Sequence, residues 1–143
     1  MRWLGDVRYD CVLVARASDL TRGWELGSHR AATPGLALRW LRWKARLVAT
    51  ALDPRPGDSG PLPAACLREV HSATANPGAV MRRWVGDVAA QDAALARLHG
   101  GRPATVCAGD DAVHYLLAAH PVLVPPGRAC GWPQPRGRAP VRR

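Results

Sequence analysis

Residues 76–101, NPGAVMRRWVGDVAAQDAALARLHGG, limit what this chain can fold into more than any other stretch. Asn76 carries a side-chain acceptor for the free amides of a helix start, and Pro77 lacks the amide that a first turn leaves unpaired. Gly100 is free to take the left-handed conformation that closes a helix. Between these ends Val80, Met81, Trp84, Val85, Val88, Leu95 and Leu98 recur at spacings of three and four, opposite Arg82, Arg83, Asp87, Ala90, Ala94 and Arg97. The spacing predicts one long amphipathic helix whose apolar side the rest of the chain must cover.

Two further helices are expected. Residues 33–52 open on Thr33-Pro34 and stop before Asp53-Pro54. On the wheel Arg39, Arg42 and Arg46 line one narrow face, while Leu36, Trp40, Trp43, Leu47, Val48 and Ala51 form a broad apolar arc with Lys44 inside it. Residues 64–75 form a short helix with Cys66, Leu67, Val70 and Ala73 inward. Strand character is confined to 7–15, where Val7, Tyr9, Cys11, Leu13 and Ala15 alternate with their neighbours, and to short runs at 104–108 and 122–124. Residues 18–33 read as a loop, and 110–119 as a helix capped by Asp110 or Asp111. The fold class that follows is α+β, mostly helical, with three main helices and a small sheet of two or three strands. It occupies a single domain over 1–124, ahead of a disordered Pro- and Arg-rich tail at 125–143.

The connector 53–63 contains Gly57-Asp58-Ser59-Gly60, which resembles the nucleophile loop of chymotrypsin-like serine proteases over those four residues. The pattern then departs: the next glycine is missing, and the Ala-Ala-His triplet that those enzymes place before the serine comes here after it, ending at His120. Ser59 therefore reads as part of a turn.

Composition bears on partners. Gly, Ala, Arg and Pro supply 71 of 143 residues, while Phe and Ile are absent, a bias that points to a GC-rich and most simply bacterial gene. A GC-rich frame with no product under selection would carry the same bias; the two-ended stretch at 76–101 argues for a folded product. The net charge of +9 favours anionic partners, nucleic acid first. Cys11, Cys66, Cys107 and Cys130 are dispersed with no CxxC pair and no short-spaced Cys/His set, so neither a zinc finger nor a thioredoxin-like site is expected, and dispersed thiols in a reducing cytoplasm fit. Residues 1–10 carry charges where a signal peptide needs an apolar core, and no run is long enough to span a membrane.

The leading functional expectation is a non-enzymatic, nucleic-acid-associated protein, DNA-binding or regulatory, without cofactor or metal. The short helix 64–75, a tight break and the helix from 76 share the layout of a helix-turn-helix, which puts Arg82 and Arg83 toward DNA while Arg39, Arg42 and Arg46 hold phosphates. One alternative is a small enzyme or ligand-binding domain using Asp111, His114 and Cys107. Another is a helical interaction module that binds a protein partner or a second copy of itself.

Overall fold

The computed structural model describes residues 5–55 and 75–125. The expected helix at 64–75, the Ser59 turn and the tail beyond Pro125 lie outside these residues. In chain order the elements are β1 (Asp6–Ala17), β2 (Gly23–Ala31), α1 (Pro34–Leu52), α2 (Pro77–Gly86), α3 (Val88–His99), β3 (Ala104–Gly109) and β4 (Val113–Val124). The strands form one antiparallel sheet in the order β2-β1-β4-β3.

The expectation of a mostly helical chain with two or three strands is corrected by this four-stranded sheet. Two misread segments account for the difference. Residues 23–31 are polar and glycine-interrupted, yet they pair with β1 from Tyr9↔Ala31 to Arg16↔Gly23, with a register shift between Leu13 and Val14 that leaves Leu26 as the extra residue of a bulge. Residues 113–124 form one continuous strand instead of a helix at 110–119 followed by a three-residue strand. Leu116, Leu117, Ala118 and Ala119 favour a helix locally, but β4 pairs along all of β1, from Asp6↔Val124 to Ala17↔Val113. Pro121 lies past the last β3 pair, Ala104↔Ala119, where β4 has a neighbour on one side only and a missing amide is tolerated.

Alternation on β1 decides where the core lies. Tyr9, Cys11, Leu13 and Ala15 are buried, and across the sheet the last three meet Ala119, Leu117 and Tyr115 of β4, which in turn meet Ala104, Val106 and Ala108 of β3. The helices pack on this face. Leu41 of α1, Met81 of α2 and Leu98 of α3 join Cys11 and Leu117 as the largest fully buried side chains. On the opposite face, bearing Val12, Val14, Cys107 and Leu116, none of the described helices lies.

Helix α1 has its expected bounds, with Thr33 Oγ1 accepting from the Leu36 amide at 3.2 Å. Its buried side is not the expected one. Ala37, Leu38, Leu41, Ala45, Val48 and Ala49 face the core, while Leu36, Trp43 and Leu47 are about half exposed. Small alanines let the helix axis approach the sheet closely, which a row of tryptophans would prevent.

The single helix expected over 76–101 is two helices broken at Asp87. That residue is extended; its amide donates to the Trp84 carbonyl to close α2, and its carboxylate accepts from the Ala90 amide to open α3. The break re-aims the second half. Val88 is exposed, and Gln91 and Ala94 are buried in its place. The left-handed residue after α3 is Gly101, at φ +73°, rather than Gly100.

Helices α1 and α2 touch through Gly78, where an added Cβ would lie 2.7 Å from Asp53 Cβ and 3.1 Å from its backbone nitrogen. Gly78→Ala is expected to destabilise by about 1–3 kcal/mol. Gly35→Ala, where nothing lies within 4 Å, should instead stabilise by about 0.5–1 kcal/mol. Urea unfolding of the two variants checks the contrast.

Burial drives the Cys11 thiol up to about 11, with the Asp10 charge adding to the effect. Above the ordinary thiol range the unfolded chain loses this proton while the folded chain keeps it, so stability falls as pH rises from about 9 to 11. The expected slope is on the order of 1 kcal/mol per pH unit. Cys11→Ala should flatten it, as read from urea midpoints across that range.

Candidate nucleic-acid interface

Because α1 turns its alanine side to the sheet, its outer side is a narrow ridge. Trp43 lies four residues after Arg39 and three before Arg46, so the three share one exposed face, with Leu36 and Leu47 continuing it at either end. Trp43 is 51% exposed.

Lys44 occupies the flank between this ridge and β2. Its Nζ lies 4.5 Å from the Trp43 ring centroid and 5.5 Å from that of Trp40, so one ammonium is held by two indoles. Gly27 makes the room: a Cβ there would come within 3.2 Å of Lys44 Cε and 3.1 Å of its Nζ. Beside it His29 stacks on Trp40, with centroids 6.2 Å apart and planes 14° from parallel. Sequence spacing puts Lys44 inside an apolar arc. It gives no hint that a glycine on β2 lets the ammonium lie there.

The five arginines assigned to nucleic acid separate into four situations. Arg39 and Arg46 are exposed on the ridge, and among the described residues no carboxylate pairs with either of them or with Lys44. Arg42 is half-buried, and its Nε is buried with no hydrogen-bond partner. Arg83 is exposed on α2. Arg82 turns to the end of α1, where Nη1 donates to Asp53 Oδ2 at 2.6 Å and Nη2 to the Asp53 carbonyl at 2.7 Å. It thus fastens the C-cap of α1 to α2. Asp53 is too distant in sequence for spacing to suggest the pair.

The alternative set Asp111, His114 and Cys107 lies around the β3–β4 turn. His114 pairs with Gly109 and Cys107 with Leu116, which puts imidazole and thiol on the open face in adjacent rows. Asp111 makes no ion pair with His114; its carbonyl accepts from Ser18 Oγ. The turn is held by Asp110, whose carboxylate accepts from the Val113 and Ala112 amides and is kept below the usual range by those bonds first and by His114 more weakly.

Elsewhere on that face Arg30 donates twice to Asp10, at 2.6 and 3.1 Å, and these bonds lower the Asp10 carboxyl. The pair walls an open depression of about 550 Å³ that also takes in Val12, Glu25 and Ser28. Among the described residues no group of three or more His, Cys, Asp or Glu side chains is placed to hold a metal ion, and no helix is long and apolar enough to cross a membrane.

The Asp53 bond assigns Arg82 a measurable structural role. Arg82→Ala should lower stability by about 1–3 kcal/mol, since two charge-assisted bonds at a partly covered helix end are lost. Arg83→Ala, at an exposed position, should stay within about 0.5 kcal/mol of the parent. Equal midpoints for the two variants in urea would contradict the assignment.

No protein-family description, curated protein or solved structure matches the chain, so a functional reading rests on this geometry.

Proposed function

We propose that the chain is a nucleic-acid-associated protein that binds without catalysing a reaction, and that its contact surface is the outer ridge of α1. The observation that carries this reading is the combination of Arg39, Trp43 and Arg46 on one exposed face with Lys44 held over the Trp43 ring. Cations with no internal carboxylate are available to phosphates, and the overall charge of +9 attracts a polyanion over distance. Arg83 and the arginines after residue 125 add non-specific phosphate contacts in this reading. Arg82 contributes through the α1–α2 junction and not through a base edge, which moves the interface away from a helix-turn-helix pair and onto α1.

The test is oligonucleotide binding by fluorescence anisotropy across a salt series. Affinity should fall linearly on a log–log plot, and the Arg39→Ala/Arg46→Ala double variant should bind more weakly with a slope shallower by about one to two. Absence of binding to both single strands and duplex at low salt would overturn the reading.

A further inference from the structure

Resting on that reading, we infer that the α1 ridge is a single-strand site: a base stacks on the exposed Trp43 ring, while Lys44, Arg39 and Arg46 take the flanking phosphates. Three observations carry the choice of ligand.

The first is chemical. Between the cations the ridge is apolar, with Leu36, Trp43 and Leu47 each about half exposed. A duplex offers phosphates and groove edges but keeps its base faces stacked inside, so these three side chains would gain nothing from it. A single strand offers base faces, and an aromatic side chain accepts any of them.

The second is steric. A helix reads the major groove when enough of its circumference is free to enter a channel about 12 Å wide, barely wider than a helix with its side chains. Helix α1 is covered on three sides. Its inner face lies on the sheet, Trp40 and Lys44 fill the flank toward β2, and α2 abuts the other flank through Gly78. Only the ridge projects, and from Arg39 to Arg46 it is roughly 10 Å long, a site for a few nucleotides.

The third concerns the indole itself. Lys44 Nζ lies over the Trp43 ring, 4.5 Å from its centroid, and Trp43 still keeps half of its surface exposed. A base on the exposed indole and a phosphate at the ammonium would be engaged by two adjacent residues. An acidic membrane surface offers the same charge. It calls for a broad apolar face to bury, however, and here the broad side of the helix is already inside the protein.

The experiment compares the full chain with Trp43→Leu, which keeps an apolar side chain without a stacking ring, and Trp43→Phe, which keeps a ring. Each is titrated with an oligothymidine and with a duplex of the same length at low salt. Trp43 is half exposed, so both variants should unfold at the parent's urea midpoint. The expected result is a loss of about 5- to 100-fold in single-strand affinity for Trp43→Leu, near-parent affinity for Trp43→Phe, and unchanged duplex binding. Equal weakening of both ligands by Trp43→Leu, or of neither, overturns the single-strand assignment even if the Arg39→Ala/Arg46→Ala variant still weakens both. Binding to neither ligand by the parent overturns the underlying function as well. Tight binding to phosphatidylserine vesicles that excess oligothymidine does not displace replaces the nucleic acid with a membrane surface.

Discussion

The position of β1 at the centre of the sheet is the constraint on which the other elements depend. It is paired along both edges, with β2 and with β4, and its side chains alternate between a covered and an open face. Tyr9, Cys11, Leu13 and Ala15 must be buried, and α1 is laid over them while α2 and α3 cover the same face beside it at β3 and β4. Once α1 lies there with its alanines down, its arginines and Trp43 have no place except outside. The candidate interface is the far side of a packing decision made at the sheet.

Charge serves two purposes in this molecule. Arg8 with Asp6, Arg30 with Asp10 and Arg82 with Asp53 are internal ties, two of them exposed and worth little, the third joining α1 to α2. Arg39, Arg46 and Lys44 have no such carboxylates among the described residues. The net charge treats all six cations alike. Their partners separate fastenings from surface.

Most signals with a local cause were legible, although the Asp87 cap that divides 76–101 into two helices is local and was not. The alternation on β1, the Thr33-Pro34 and Asp53 ends of α1 and the Asn76 cap are each read from a few adjacent residues, and each is where it was expected. The rest of what escaped depends on partners distant in sequence. The strand β2 is polar because most of it is exposed at a sheet edge, and it is a strand because β1 lies beside it. β4 is rich in leucine and alanine, and pairing on both sides overrides that preference. The arc of α1 with the larger apolar side chains looked like the buried one, but closeness to the sheet selected Ala37, Ala45 and Ala49. In the candidate site the helical positions of Arg39, Arg42 and Arg46 were legible, as was the anomaly of Lys44. The role of Arg82 was hidden by its distance in sequence from Asp53.

The central pairing has a further consequence, for the order of events as the chain is made. β1 and β2 are neighbours in sequence and can meet early, but the other edge of β1 waits for β4, since Asp6 pairs with Val124 and Ala17 with Val113. Contacts that close so long a loop are entropically late and lower the folding rate. On a ribosome adding about 5–20 residues per second, the apolar side of the first hairpin therefore goes several seconds without its partner strand. During that interval the exposed backbone of β1 is open to any extended segment, and chaperone demand should be set by that delay more than by the stability of the finished sheet.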